Sequence, residues 1–285
     1  MKGMAYNGWK LGLPDKFWPV ILDNFFDNPD EIRELGLRCL KSKKITTLED
    51  DVNIWPGCRS EELGKTNKDL EQKITEKILN CYFNLNFEQI FWNFVDMRFN
   101  LIPSFDKDKN NLKNKGWIHR DGIDPRLPFG LSHLDQKKIT PREEEELEEP
   151  NLAGLIYLTP DIERDTGTSL FDMKKDKTLE DFHKTIETRL PLFKGDPVND
   201  EEIKEAWEKH RSCFIEKVRF ENIYNRLIMY DTKEFHAANS YYTSKDNRLT
   251  LGFFIGGILA HKWPLERIKG IHTRLTPRNP LQEKK

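Results

Sequence analysis

The sequence predicts a mainly β protein with flanking helices, of the sandwich, barrel or double-sheet jelly-roll kind. From Phe91 onward, short runs rich in aromatic and β-branched residues recur between turn residues: FWNFVDMRFNLI, GWIHRD, NLAGLIYLTP, GTSLFDM, FIEKVRF, NRLIMYDT, FHAANSYY and RLTLGFFIGGI. Helical periodicity is concentrated before residue 90 and in one charged central stretch. No internal repeat of fixed period is visible, which sets solenoids and propellers aside.

Taken in order, the segment from Val20 reads as a short strand leading into a helix. Asn28 or Asp30 is placed to cap that helix, Pro29 suits its first turn, and Ile32, Leu35 and Cys39 recur at helical spacing. Residues 68 to 83 form a second amphipathic helix with Leu70, Ile74, Ile78 and Leu79 on one side. The β-series after Phe91 is interrupted twice. One insertion, at about 124–150, carries the acidic run Glu143 to Glu146, which reads as a solvated face; the other, at about 172–215, shows helical spacing at Leu179, Phe182, Ile186 and Leu190. The expected organisation is therefore an accessory helical segment over 1–90, a β core over 91–258 and a surface tail over 259–285 that holds Pro264, Pro277 and Pro280.

Composition narrows the function. The chain has 285 residues, ample for a sizeable core, with 46 Lys+Arg against 48 Asp+Glu. A net charge of −2 removes the basic excess that polyanion-binding proteins display, so nucleic acid is an unlikely partner. There is no apolar run of membrane-spanning length and the first residues lack the apolar stretch of a secretory signal, so a cytoplasmic protein without a membrane partner is expected. Cys39, Cys58, Cys81 and Cys213 are scattered without a C-x-x-C pair and read as reduced thiols, not as a zinc knuckle or a disulfide framework.

The chemistry concentrates in two places. In GWIHRD, His119 and Asp121 are two positions apart, and alternating strand geometry puts i and i+2 on one face, where both can hold one ion. Towards the C-terminus, the NRLIMYDTKEFH stretch ends on His236 and leads to a strand that opens with Arg248 and Thr250. Two imidazoles and one carboxylate on one face of an octahedral ion leave three positions open, the arrangement in which iron(II) accepts a chelating co-substrate and dioxygen. No thiolate belongs to the set, which disfavours a closed structural zinc site. Arg248, twelve residues past His236, opens an otherwise apolar strand, and its planar fork suits a carboxylate, with the Thr250 hydroxyl on the same face.

On these residues the sequence resembles the 2-oxoglutarate- and iron(II)-dependent dioxygenases, in particular their prolyl-hydroxylase-like branch, over roughly residues 91 to 256. The resemblance rests on H-x-D at His119 and Asp121, the middle strand and turn LIYLTPD with DTGTSLF, and His236 followed by Arg248. It implies iron ligation by His119, Asp121 and His236, and a contact from Arg248 to the far carboxylate of 2-oxoglutarate. It also implies a double-stranded β-helix, a cupin-like jelly roll with helical insertions and with the iron between its two sheets. Departures stand beside it. The middle turn reads Thr166-Gly167-Thr168 where relatives tend to have Gly-Gly-x-Thr, and a co-substrate tyrosine before H-x-D looks replaced by Phe99, with Tyr157 the candidate to supply that hydroxyl. The presence of Asp121 favours hydroxylation over the halogenation of relatives that lack this carboxylate. Trp55 to Ser60 resembles a Pro-Gly-x-Arg segment at the active-site mouth of some such enzymes, which makes Arg59 a candidate for an anionic or peptide substrate.

The other histidines, His133, His183, His210, His261 and His272, read as surface or packing residues, and the two insertions are expected to form a lid. Protein side chains such as prolyl, free amino acids and small metabolites all remain open as substrates, because selectivity resides in loops. Two rivals stand beside the oxygenase: a metal-binding jelly roll without turnover, and a base-oxidising dioxygenase acting on nucleic acid.

Overall fold

A computed structural model describes residues 17–41, 57–121, 152–187 and 199–260. The chain's most regular apolar run, RLTLGFFIG, forms β10 (Arg248–Gly256), the axis of the fold. Along one side β10 pairs in full register with β4 (Phe94–Ile102), and along the other with β5 (Leu152–Tyr157), both antiparallel. Outward from β5 follow β8 (Leu227–Asp231) and β1 (Val20–Leu22); outward from β4 follows β2 (Cys58–Arg59). The result is a six-stranded antiparallel sheet in the order β1-β8-β5-β10-β4-β2.

Alternation gives that sheet two different faces. Met97, Phe99, Leu152, Ile156, Leu227, Met229, Leu249, Leu251, Phe253 and Ile255 turn to one side and bury against α1 (Pro29–Leu40), α3 (Lys68–Leu79) and Phe17 and Phe25. A one-turn helix, α2 (Leu63–Thr66), precedes α3. Ala153, Tyr157, Ile228 and Tyr230 turn to the other side, where Leu170 and Phe220 of a second sheet meet them. This smaller antiparallel sheet has the order β7-β6-β9, with β6 at Thr168–Met173, β7 at Phe214–Phe220 and β9 at Phe235–Ala238. A further pair, β3 (Ile90–Phe91) with β11 (Leu259–Ala260), closes one end.

The fold differs from the expected outline at identifiable points. Residues before 90 supply both outer strands of the large sheet: β1, at the short strand read from Val20, and β2, whose two residues are too few to show a period. The anticipated tail begins with the paired strand β11, and its remainder from residue 261 lies outside the described residues. GWIHRD is not a regular strand: the ladder there is a single bridge, His119 to His236. Asn28 stands at the N-cap of α1 with no cap bond from its side chain, whereas Asn67 does cap α3. The four cysteines are free thiols.

The insertion between β6 and β7 folds into α4 (Leu179–Glu187) and α5 (Asp200–Ser212), the latter opened by a capping box of Asn199 and Glu202. Its described residues do not form a lid over the space between the sheets. Phe182 and the chain after α5 pack with Ile118, Phe171, Phe214 and Ala237, on the face of the small sheet that turns away from the large one. That face is apolar and needs cover, which explains where the helices go. The other insertion, at 124–150, lies outside the described residues.

Candidate metal centre and carboxylate clamp

His119 and His236 face each other because their backbones do. The His119 amide donates to the His236 carbonyl at 2.9 Å and the His236 amide returns the bond at 2.8 Å, leaving the rings 4.4 Å apart. Each imidazole is then oriented through Nδ1. That of His119 lies 2.8 Å from the Trp117 carbonyl oxygen and that of His236 lies 3.0 Å from the Glu234 carbonyl oxygen. A carbonyl only accepts, so Nδ1 carries a proton in both rings, and Nε2 is the nitrogen that can give its lone pair to a metal ion. Both Nε2 atoms point to one carboxylate: Asp121 Oδ2 is 3.0 Å from His236 and Oδ1 is 3.7 Å from His119.

Ligand atoms of His119, Asp121 and His236 all lie within 4.8 Å of one another, so the three can hold one metal ion. Two oriented imidazoles and a carboxylate fit a divalent ion of the iron type, with coordination sites to spare. The electrostatics agree with a site built for a cation. Burial pushes the Asp121 carboxyl up, but the imidazole of His236 and the charges of His119 and Arg59 outweigh it, and its pKa lies below the usual carboxylate value. In His236 the balance is the mirror image: burial lowers the imidazole, and Asp121 overcomes that to leave it raised.

Tyr230 of β8 stacks beside His236, ring centroids 4.8 Å apart. Burial raises its hydroxyl well above the usual phenol value, the nearby Asp121 and Tyr157 add to this, and Arg248 opposes it. Tyr230 thus connects the metal ligands to the second half of the site. There Arg248, only 3 % exposed, donates from Nε to the Thr166 carbonyl at 2.9 Å and holds its guanidinium carbon 5.4 Å from the Tyr157 ring centre. Among the described residues no carboxylate forms an ion pair with it. A buried guanidinium so placed fits a carboxylate ligand better than it fits a purely structural role. Tyr157 donates to Thr168 Oγ1 at 3.1 Å, and Thr250 lies directly opposite Tyr157 in the β5–β10 register.

The Thr166-Gly167-Thr168 turn is shaped by Gly167, whose place a Cβ would share with the Phe220 carbonyl oxygen. Any side chain there displaces the turn that presents the Thr166 carbonyl to Arg248. On the far side of β4, Arg59 donates from Nε to Asn100 Oδ1 at 2.9 Å, and its charge acts on Asp121. Gly57, at φ +88° against the Leu101 carbonyl, makes the tight approach that puts Arg59 on β2.

The predicted site residues are thus brought together: His119, Asp121 and His236 at one end, Arg248, Tyr157 and Thr250 at the other, and Arg59 at the flank. Phe99 is not at the Arg248 end. It is fully buried on the opposite face of the large sheet, where a Cβ at Gly36 of α1 would lie 2.6 Å from its ring, because alternation along β4 turns Asn100 and not Phe99 towards Thr250. Two residues escaped the sequence reading. Tyr230 is signalled by its alternation with Ile228, and His210 by nothing local, since its partners come from distant segments.

No protein-family model matches the chain, and no curated protein matches it. Solved structures do. A prolyl hydroxylase from Trichoplax adhaerens, in complex with a hypoxia inducible factor oxygen degradation domain peptide fragment, aligns at 12 % identity over 84 % of this chain and 83 % of that one, with a TM-score of 0.43. EvdO2 from Micromonospora carbonacea, complexed with 2-oxoglutarate, aligns at 11 % identity over 84 % and 86 % with a TM-score of 0.44. HygX from Streptomyces hygroscopicus, with iron bound, aligns at 11 % identity over 84 % and 81 %, again with a TM-score of 0.44. At these identities and scores the assignment of chemistry rests on the site residues themselves.

Proposed function

We propose that this protein is a non-haem oxygenase that uses iron(II), 2-oxoglutarate and dioxygen to hydroxylate a C–H bond of a protein side chain, prolyl among them, or of a small molecule. The observation that carries the reading is the juxtaposition of a His–Asp–His group, buried at His236 and half-buried at His119 and Asp121, with a buried arginine that has no acid partner among the described residues. In this reading the two-sheet core is a double-stranded β-helix, to whose large sheet the segment before residue 90 adds the outer strands β1 and β2. When bound, the metal, co-substrate and dioxygen supply oxidative decarboxylation to succinate and carbon dioxide, coupled to oxygen transfer.

The chain's own share is binding and orientation. His119, Asp121 and His236 hold the ion through two oriented Nε2 atoms and a carboxylate held ionised by its neighbours. Arg248 receives the remote carboxylate of the co-substrate, with the Thr250 and Tyr157 hydroxyls beside it. Tyr230 and the apolar walls of Leu170 and Ile228 restrict water between the two ends. Arg59, half-buried beside Asn100, is the candidate contact for an anionic or peptide substrate.

Anaerobic titration of the metal-free protein with iron(II) and then 2-oxoglutarate tests this. The expected result is the visible charge-transfer band of the chelate in the parent protein, absent in His119→Ala for want of metal and in Arg248→Ala for want of co-substrate. Tight metal binding with no band would instead identify a non-catalytic metal protein.

A further inference from the structure

His119 lies at the edge of the small sheet, and half of its support comes from outside that sheet. In the antiparallel bridge with His236, the amide and carbonyl of His119 point inward to β9. The carbonyl of Ile118, one residue earlier, points the other way, to an edge where no strand follows among the described residues. A buried carbonyl without a partner costs about 1–3 kcal/mol and leaves its peptide free to rotate. This chain meets that demand with a side chain. Nε2 of His210, from the last turn of α5, lies 3.0 Å from the Ile118 oxygen.

His210 is fully buried, unlike the charged residues around it in the sequence. Its ring is packed by Trp117, Phe182 and Phe214 at centroid distances of 5.0, 5.8 and 5.5 Å. Nδ1 lies 2.9 Å from Thr185 Oγ1 of α4, which itself donates to the Phe182 carbonyl at 2.6 Å. Because a carbonyl only accepts, Nε2 carries the proton. The peptide between Ile118 and His119 is therefore held at both polar ends, its oxygen by His210 and its N–H by the His236 carbonyl.

Resting on the metal-site reading above, we propose that His210 is a positioning residue for the metal centre: the helical insertion fixes the orientation of His119 from behind through the Ile118 carbonyl. Nothing in this assigns His210 contact with metal, co-substrate or substrate. The consequence is that the insertion governs metal affinity and coordination geometry, not merely access.

The test uses cobalt(II) as the metal, with binding and the visible ligand-field spectrum as readouts, on the full chain. His210→Leu keeps the bulk and removes the donor, and is expected to weaken cobalt binding about 10–100-fold, the usual cost of losing an outer hydrogen-bond partner of a ligand, and to alter the spectrum. His210→Gln, whose amide nitrogen takes the place of Nε2, is expected to restore affinity to within about threefold of the parent. Phe182→Leu loosens the same cluster without touching the Ile118 carbonyl and should leave the spectrum unchanged; where His210→Leu does not fold, Thr185→Val reads the same link through Nδ1. Parent-like affinity in His210→Leu, or an equal loss in Phe182→Leu, would overturn the proposal. Failure of the parent itself to bind cobalt, or binding that survives His236→Ala, would overturn the metal-site reading instead, and this proposal with it.

Discussion

The two ends of the site are held by different means. Arg248, Thr250 and Tyr157 belong to strands at the centre of a six-stranded sheet, where β10 is paired on both sides along most of its length. The metal end has no such frame. His119 is fixed by one bridge, Asp121 follows it outside any regular element, and the orientation of each imidazole depends on a carbonyl two residues earlier. A ladder distributes a perturbation over many bonds, whereas a single hydrogen bond transmits it whole. The arginine end should therefore resist remote substitutions that the metal end registers.

The largest effect expected is at the metal end. Asp121→Ala should reduce divalent-metal affinity by more than about a hundredfold, beyond what loss of an outer partner costs, while the far-UV circular dichroism stays that of the parent. Retained affinity would mean that the two histidines alone make the site and that the carboxylate is structural.

Next comes Arg248→Met, which replaces a buried cation with an apolar chain of similar length. Loss of two charge-assisted hydrogen bonds, each worth about 1.5–3 kcal/mol, should weaken 2-oxoglutarate binding at least a hundredfold, measured by calorimetry on the metal-loaded protein. Metal affinity should not change, and the urea midpoint should shift little, since a buried charge without an acid partner adds little to stability. A fall in metal affinity would show that the two ends are not independent.

How much of this was legible in the sequence follows the same division. The strands from Phe94 onward announce themselves by period, and His119, Asp121, His236 and Arg248 by residue type at short spacing, because alternation and turns are local rules. What was illegible depends on distant pairing. Arg59 reaches its strand by a two-residue pairing with β4. Phe99 changes faces with respect to the sequence-based expectation because one step along a strand reverses the side. The insertion's helices were visible at Phe182 and Ile186, but their choice of the back of the small sheet was not, since it is set by the apolar face of Ile118, Phe171 and Ala237, which belong to three separate segments.

Gly36→Ala sharpens the comparison from the far face. The added methyl group would lie 2.6 Å from the Phe99 ring, within the interface of α1 and β4, and overpacking of this kind costs about 1–3 kcal/mol. Chemical denaturation should show that loss while co-substrate affinity is unaltered, because β4 carries Phe99 away from Thr250. Thr250→Val is smaller still: it keeps the shape and removes one hydroxyl, so 2-oxoglutarate binding should weaken about five- to tenfold, the worth of one hydrogen bond, with no change in the urea midpoint.

The smallest effect tests whether the ladder insulates the arginine end. Arg226, whose carbonyl accepts the Tyr157 amide at 3.0 Å, reaches across to Asp23 with bonds of 2.5 and 3.0 Å. The hydrogen bond and charge of Arg226 outweigh burial and hold the Asp23 carboxyl below its ordinary value of 3.8. A depressed carboxyl stabilises the fold above its unfolded pKa and loses that contribution as the pH falls through the lower, folded value. With Asp23 half exposed, the pair is worth at most about 1 kcal/mol. The difference in urea midpoint between the parent and Asp23→Asn should thus be small at pH 6, shrink as the pH falls below 3.8 and vanish in acid below the still lower folded value. Co-substrate affinity should be the same in both proteins at pH 6, because Tyr157 remains paired to β10 and Arg248 remains on a strand bonded on both sides; a change in affinity would mean that the arginine end, like the metal end, is tuned from outside its sheet.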